Sequence, residues 1–292
     1  MDQKTWLLKH LPSMQGKTAA ITGATGGLGK ELCRGILCLG GNLLLLNRDP
    51  RKTADLIKAL KEEYPQAQID FLPLDLTDMD SVNRVCRELK KQVPQVLLHN
   101  AGIYDVPRYS LPTGLNNVFQ VNFAAPYYMT KQLLPELRAH RSRVAVVGSI
   151  ACSYAKSDPE DPDFSSRSAC HLCYGNSKRY LMYAFSQLFQ GETAAEFSIG
   201  HPGITLTNIS NHYPAWLYPL IRPFLKLFFM KPRTACRSIL YAVTYSTGPG
   251  CWAGPRFFHI WGAPSVQPLT CCSREEQLQI FDTAEAIFQK LS

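Results

Sequence analysis

The sequence TGATGGLG at residues 22–29 lies between a short apolar run, 17–22, and a helical pattern, 29–40. Glycines in such a turn let the backbone fold tightly and approach a ligand, and the helix that follows presents free N–H groups to an anion. A glycine-rich turn between a first strand and a first helix is typical of loops that hold a dinucleotide pyrophosphate. An ordinary turn is the competing interpretation, so the surrounding pattern has to decide.

Outward from this loop, short apolar runs alternate with helical patterns. Strands are predicted at 17–22, 43–46, 69–72, 96–99, 144–147 and 257–260. Helices are predicted at 29–40, 50–63, 78–92, 115–137, 172–190, 231–245 and 274–290. Alternation at this spacing indicates βαβ units. The predicted fold is therefore α/β: one Rossmann-type domain over 1–292, with a doubly wound parallel sheet and helices on both faces.

The composition indicates a folded, basic protein. Hydrophobic residues make up 46% of the 292 residues and charged residues 18%, which is enough for a sizeable core. The net charge of +8 attracts anions, but no basic cluster is interleaved with aromatics, so no nucleic-acid partner is expected. No apolar run reaches the about 18 residues that a spanning helix needs.

The ten cysteines are expected to be reduced thiols, because a chain of this size does not need a disulfide scaffold. Cys170 and Cys173 form a CxxC pair, and Cys271 and Cys272 are adjacent. A zinc site would need a second pair at ligand spacing, so no metal is expected. Residues 1–16 show no small-residue cleavage site, which predicts a cytoplasmic protein, with peripheral membrane association left open.

An ordered set of motifs resembles the short-chain dehydrogenase/reductase family. The glycine loop fits TGxxxGxG, and Asn122 falls where the family has its helix asparagine. The other motifs are Asp75-Leu76, Asn100-Ala101-Gly102, Ser149, the YxxxK of Tyr174 and Lys178, and the PG segment at 201–207. The sequence around Asn122 and the long step from Ser149 to Tyr174 resemble the retinol dehydrogenase and WW-domain oxidoreductase branch. The extra stretch, 151–169, is expected to form a polar surface excursion.

The resemblance implies a nicotinamide dinucleotide beyond the carboxyl ends of the strands. The residues expected to contact it are Gly23, Thr25, Gly26, Gly27, Leu28, Gly29, Asn47, Arg48, Asp75, Leu76, Asn100, Ala101, Gly102, Tyr174, Lys178, Pro202, Gly203, Ile204 and Thr207. For Asp75, a plain cap of the helix that begins near Asp78 is an equally good explanation.

The end of the second predicted strand favours NADP(H) over NAD(H). An acidic residue there would select NAD by bonding the ribose hydroxyls, but the strand ends in Asn47-Arg48. The guanidinium could pair with a 2′-phosphate, with Arg51 and Lys52 adding positive charge. The competing interpretation is a solvated helix start, and Asp49 beside Arg48 weakens the signal.

Tyr174 and Lys178 are four residues apart, and this spacing puts both on one face of a predicted helix. By resemblance, Tyr174 exchanges a proton with the substrate oxygen while Lys178 holds the nicotinamide ribose. The resemblance also gives Ser149 a hydrogen bond to the substrate oxygen and gives Asn122 a water that links Lys178 to solvent. A nearby ammonium should lower the pKa of Tyr174 from its ordinary value near 10.

The segment 204–232 is rich in aromatic and aliphatic residues and is predicted to be an apolar lid. Such a lid suits a bulky lipophilic substrate, such as a steroid, a retinoid or a long-chain aldehyde. It could equally pack on the core, or contact a membrane peripherally through 216–231. A homo-oligomer is also compatible with the sequence.

The predicted function is an NADP(H)-dependent oxidoreductase that acts on an alcohol/carbonyl pair. Two alternatives stay open. Gly26 also fits the TGxxGxxG loop of nucleotide-sugar epimerases and reductases, although Gly27 and the Asn100 motif argue against that branch. The other is a catalytically silent NADP-sensing protein, but such sensors commonly lose the Tyr/Lys pair that this chain keeps.

Overall fold

The computed structural model describes residues 2–203 and 230–292. Its elements in chain order are α1 Gln3–His10, β1 Thr18–Thr22, α2 Gly27–Cys38, β2 Asn42–Asn47, α3 Pro50–Glu63, β3 Ile69–Pro73, α4 Met79–Lys91, β4 Val96–His99, α5 Asn117–Phe119, α6 Ala125–Ala139, β5 Arg143–Val147, α7 Cys170–Leu188, β6 Glu196–Gly200, α8 Pro232–Thr244, β7 Cys251–Phe257, β8 Trp261–Pro268 and α9 Arg274–Leu291. A π-helical turn, Gln120–Ala124, joins α5 to α6, and a 3₁₀ turn, Ile150–Ser153, follows β5.

The strands form one sheet in the order β3-β2-β1-β4-β5-β6-β7-β8. The first seven strands are parallel, and β8 pairs antiparallel with β7. The order changes direction between β1 and β4, and ligands of such sheets bind beyond the carboxyl ends of the strands at this point. The predicted doubly wound Rossmann-type fold is confirmed.

Two hydrophobic clusters cover the two faces of the sheet. Ala20 of β1 belongs to one cluster, whereas its neighbours Ala19 and Ile21 belong to the other. Successive strand residues point to opposite faces, so a strand buried on both sides reads as a continuous apolar run. This is why the central strands could be predicted from composition.

The strand expected at 257–260 is wrong. Phe257 ends β7, and the chain then turns through Phe258 and His259, which have φ values of 51° and 57°. The turn closes with a hydrogen bond of 2.9 Å from the N–H of Ile260 to the carbonyl of Phe257. Tight turns with positive φ usually carry Asn, Asp or Gly, so an apolar sequence concealed this one. The sequence pattern also did not predict α1, β6, β8 or any residue of β7 except the last.

Within the described ranges, no helix combines the length and the hydropathy required to cross a membrane.

Candidate active site

The glycine loop places a bare helix N-terminus at the carboxyl edge of β1. A Cβ on Gly29 would lie 2.4 Å from the carbonyl oxygen of Gly23, and Gly23 itself has a φ of 69°. Gly26 precedes α2 without a side-chain cap, and the first turn of α2 has no acidic residue. Gly26 and Gly27 are exposed, and Thr25 and Leu28 are partly exposed. Uncapped N–H groups under a closely packed loop fit a dinucleotide pyrophosphate.

Two asparagines hold the loop in this shape. Asn47 is buried, and its Oδ1 accepts a hydrogen bond of 2.7 Å from the N–H of Ala24. Asn100 donates through Nδ2 to the carbonyls of Thr22 and Gly23, at 2.9 and 3.0 Å. Both amides therefore stabilise the loop from within the protein.

Arg48 is exposed just after β2 and forms no ion pair with any residue in 2–203 or 230–292. The neighbouring Asp49 caps α3, because its Oδ1 accepts from the N–H groups of Arg51 and Lys52 at 3.0 and 3.1 Å. Lys52 also pairs with Asp49, at 3.7 Å. The Asp49 carboxylate, which counted against an anion site at Arg48 in the sequence, is thus bound at the N-terminus of α3. The Arg48 guanidinium is left available to an external anion.

Asp75 does not cap α4, so that alternative is wrong. Its Oδ1 accepts from the N–H and the hydroxyl of Thr77, at 2.9 and 2.7 Å. The cap of α4 is Asp78, which accepts from the N–H of Asp80. Leu76 is buried, and its carbonyl accepts from the side chain of Gln120 at 3.0 Å.

Tyr174, Lys178 and Ser149 come together beyond β5. The Ser149 side chain lies close enough to the Tyr174 hydroxyl to oppose the rise that burial causes in the tyrosine pKa. The Nζ of Lys178 lies 5.9 Å from the centroid of the Tyr174 ring and donates to the carbonyl of Val147 at 2.8 Å. A Cβ on Gly102 would lie 3.6 Å from that Nζ, so the loop after β4 lies close to α7 here.

Burial is the main cause of the pKa shifts of Tyr174 and Lys178. It raises the pKa of Tyr174 to about 12, against the opposing effect of the Ser149 side chain. It also lowers the pKa of Lys178 to about 8. The expected lowering of the Tyr174 pKa is therefore wrong for the chain alone, since desolvation disfavours the phenolate more than its neighbours favour it. At neutral pH Tyr174 keeps its proton.

Asn122 lies in the π-helical turn and connects β4 to α7. Its Oδ1 accepts from the N–H of Ile103 at 2.8 Å, and its Nδ2 donates to the carbonyl of Ile103 and to Ser177 Oγ, both at 3.0 Å. Ser177 in turn donates to the carbonyl of Tyr174 at 2.7 Å. The expected role in holding a water stays a prediction, whereas the structural link from Ile103 to the Tyr174 helix is direct.

Two residues beside the site, Tyr104 and Arg108, were not predicted from the sequence. The ring of Tyr104 meets that of Tyr174 edge to face, with centroids 4.9 Å apart, and is 49% exposed. In the sequence, Tyr104 could have been identified as a site residue only by its position shortly after Gly102. Arg108 donates to Cys173 Sγ at 2.7 Å and to the carbonyl of Phe164 at 3.1 Å, which ties the 151–169 excursion to α7.

The PG segment begins at the carboxyl end of β6. Gly203 has a φ of 76°, and a Cβ there would lie 2.9 Å from the carbonyl oxygen of Ile260. Pro202 precedes it at the same edge. Ile204, Thr207, most of the predicted lid at 204–232, and nearly all of 216–231 lie outside the described residues, which exclude 204–229.

His201 makes this edge sensitive to acid. It is buried, it stacks on Trp252 at 4.7 Å, and burial lowers its pKa from 6.5 to about 4. The unfolded chain binds a proton near pH 6.5 but the folded chain does not until about pH 4, so stability is lost as the pH falls across this window. This residue alone should account for roughly 3 kcal/mol.

Denaturant titrations at pH 7 and pH 4.5 would measure this loss. His201→Phe keeps a stacking ring without a titrating group, so its free energy of unfolding should depend less on pH. An equal pH dependence in both proteins would contradict the assignment.

A doubly wound sheet, an uncapped glycine loop and a Tyr-Lys-Ser cluster at the same edge define a nucleotide-binding oxidoreductase of Rossmann type. Residues 17–159 match the sequence profile of the family described as short chain dehydrogenase. The chain belongs to the short-chain dehydrogenase/reductase family, in its retinol dehydrogenase-like branch. Such enzymes act on CH–OH and C=O groups.

Two curated relatives align with most of this chain. Retinol dehydrogenase 14 of Mus musculus is 29% identical over 245 residues, which cover 78% of this chain and 73% of the relative. Polyprenol dehydrogenase of Homo sapiens is 28% identical over 244 residues, which cover 79% and 73%. A crystal structure of an uncharacterised protein from Mycobacterium paratuberculosis matches with a TM-score of 0.76 and 25% identity, over 96% of both chains.

Proposed function

We propose that this protein transfers a hydride between NADP(H) and the alcohol/carbonyl pair of a bulky lipophilic substrate. The observation that carries the proposal is the position of Tyr174 beside Ser149, with its ring centroid 5.9 Å from the buried ammonium of Lys178. These groups lie at the edge where the glycine loop presents its free N–H groups. A silent sensor has no need for such a cluster.

The dinucleotide is held by the elements that border this edge. The N-terminus of α2 takes the pyrophosphate, and Gly102 leaves room for the nicotinamide ribose near Lys178. When bound, the dinucleotide supplies the hydride donor or acceptor and, in its oxidised form, a positive charge. A positive charge beside Tyr174 would lower its pKa from the value of about 12 in the chain alone and so make available the phenolate that accepts a proton in the oxidative direction.

The chain's own residues manage the proton. In reduction, Tyr174 donates its proton to the carbonyl oxygen, which Ser149 orients by a hydrogen bond. Lys178, with a pKa near 8, is partly able to give up a proton at working pH and can reprotonate the phenolate. The carbonyl of Val147 holds the Lys178 ammonium, and Asn122 Oδ1 and Lys178 Nζ both lie beside Gly102, so Asn122 is placed to hold a water that links Lys178 to solvent.

The lipophilic substrate class rests on the surface beside Tyr174 and on the relatives. Tyr104 and Tyr154 are 49% and 51% exposed and offer aromatic contacts at the entrance. Retinol and polyprenol, named for two relatives, are both long isoprenoid alcohols. An apolar lid at 204–232, a membrane contact through 216–231 and a homo-oligomer are kept as further proposals.

An absorbance assay at 340 nm tests the substrate class directly. Both dinucleotides would be assayed with retinoid, polyprenoid, steroid, aliphatic and sugar carbonyls at matched concentrations. We expect the highest kcat/KM for the long apolar substrates. Turnover confined to small polar carbonyls would contradict this class without affecting the assignment of the dinucleotide site.

Arg48→Asp tests the preference for NADP(H). Removing a charge-assisted bond of about 1.5–3 kcal/mol should weaken NADPH binding by about 10–100-fold, while NADH binding holds or improves. Lys58→Asp is the control, because it reverses an exposed charge further along α3 and should leave the ratio of kcat/KM for the two dinucleotides unchanged. An unchanged ratio of kcat/KM for the two dinucleotides in the Arg48 variant would contradict the assignment.

A further inference from the structure

Three free cysteines meet behind the turn that Ser149 begins. Cys152 lies in the 3₁₀ turn after Ser149, and Cys271 and Cys272 directly precede α9. The sulfur atoms of Cys152 and Cys271 are 3.4 Å apart, although 119 positions separate the two residues. The proposed hydride transfer uses neither sulfur atom.

One buried guanidinium fixes the backbone on both sides of this contact. Arg179 of α7 has a side chain only 3% exposed, and it donates to the carbonyls of Cys152 and Cys271 at 2.6 and 2.7 Å. It also makes a bidentate pair with Glu276 of α9, at 2.7 and 2.8 Å. The two thiols are therefore held in contact by a shared partner, independently of any bond between them.

The surroundings of Cys271 favour its thiolate. The hydroxyl of Tyr183 accepts from the N–H of Cys271 at 3.0 Å, so its own hydrogen is free to be donated to the sulfur 3.1 Å away. Hydrogen bonds from Cys152 and Cys272, together with the charge of Arg179, lower the pKa of Cys271. The same contacts and burial raise the pKa of Cys152 and of Cys272.

Cys271 and Cys152 differ in their exposure to solvent. Cys271 is partly exposed, whereas Cys152 is buried. A thiolate that a small oxidant can reach, with a second thiol in contact, is the arrangement of an attacking cysteine and its resolving partner.

We propose that Cys271 and Cys152 form a peroxide-reactive site in which Cys271 is oxidised first and Cys152 then resolves it to a disulfide. The Cys271 thiolate attacks one oxygen of a hydroperoxide, the O–O bond breaks, and the leaving oxyanion takes up a proton. This gives a sulfenic acid at Cys271. The sulfur of Cys152 then attacks it, the S–S bond forms as the S–O bond breaks, and the thiol proton leaves with the hydroxyl as water. The two sulfurs lose two electrons in total to the peroxide.

Two alternatives fit the geometry less well. A bond between Cys271 and Cys272 would close a strained ring through their shared peptide bond. Across residues 2–203 and 230–292, no group of three His, Cys, Asp or Glu side chains is arranged to hold a metal ion. The disulfide that we propose instead joins the Ser149 turn to the segment that starts α9.

The experiment follows each thiol during oxidation. The full-length protein is treated with hydrogen peroxide, the remaining thiols are alkylated at intervals, and the peptides are mapped by mass spectrometry. We expect a dithiothreitol-reversible peptide that links Cys152 to Cys271. Cys271 should be lost at least about 10-fold faster than the partly exposed Cys38, Cys170 and Cys251, because its thiolate fraction is larger.

Variants separate the two steps, and thermal unfolding verifies that each one folds. In Cys152→Ser, Cys271 should still react but stop at a sulfenic acid that dimedone traps. In Tyr183→Phe, which removes one donor to the sulfur, the loss of Cys271 should slow several-fold. Cys272→Ser is the control and should still form the cross-link. Loss of Cys271 at the rate of Cys38, Cys170 and Cys251, or a cross-link confined to Cys271 and Cys272, would overturn the proposal.

Discussion

Replacing Tyr174 with Phe will reduce turnover by about 10²–10⁴-fold, the range expected when a general acid is removed. The variant keeps the ring that packs edge to face on Tyr104 and loses only the hydroxyl that lies beside Ser149. Hydride transfer then has no side chain to deliver the proton, and Ser149 alone cannot replace it. The measurement is single-turnover reduction followed at 340 nm.

Binding and a matched tyrosine make this result interpretable. Dinucleotide affinity, measured by fluorescence titration, should change little in Tyr174→Phe, since the pyrophosphate is held at the start of α2. Tyr104→Phe is the control, because it removes a hydroxyl from the neighbouring ring and should keep most of the turnover. Near-native reduction by Tyr174→Phe would show that another group supplies the proton.

The pKa values of Tyr174 and Lys178 could not be predicted from their spacing in the sequence. That spacing correctly placed Tyr174 and Lys178 on one face of α7, but it carries no information about desolvation. In the folded chain burial shifts both groups towards their neutral forms, with the pKa of Tyr174 at about 12 and that of Lys178 at about 8. At neutral pH the chain alone therefore holds Tyr174 as the acid that reduction needs, whereas the opposite direction needs a neighbouring positive charge to make the phenolate accessible.

The strands that could be predicted from the sequence each contain a short run of mostly apolar residues. The strands on either side of the glycine loop are buried on both faces, so composition alone marks them, and the loop marks the point where the strand order changes direction. By contrast, β6 and β8 are interrupted by polar residues, and the turn at Phe258 lacks the residues that usually mark a turn. Pairing with β5 and β7 stabilises these elements, and pairing is a tertiary property.

In the candidate active site, too, some residues were predictable from the sequence and others depend on long-range contacts. Motif residues such as Ser149 and Gly102 lie where expected, because each directly follows a strand of the parallel sheet. The long-range contacts of Arg108 and Arg179 were not predictable, since a lone arginine in a sequence does not identify the carbonyls it will bind. These two residues connect the excursion and the C-terminal helix to α7.

Gly29→Ala should abolish most dinucleotide binding and also destabilise the fold. The new Cβ would lie 2.4 Å from the carbonyl oxygen of Gly23 and 2.7 Å from the Cα of Ala24, and both contacts are with backbone that cannot move aside. Overpacking of this kind costs about 1–3 kcal/mol, which corresponds to a fall in Tm of about 5 °C. Displacing the loop from the start of α2 removes two or more charge-assisted bonds, a loss of about 10²-fold or more in affinity.

Gly26→Ala separates the two effects. Its Cβ would meet the Gly23 carbonyl oxygen at 3.5 Å, an ordinary contact, and its φ of −71° suits any residue. The variant should therefore unfold at the native temperature. Any loss of dinucleotide affinity in it must come from a methyl group placed where the pyrophosphate approaches the backbone. Native affinity and native Tm in Gly29→Ala would show that the close approach of α2 to the loop is not what forms the binding site.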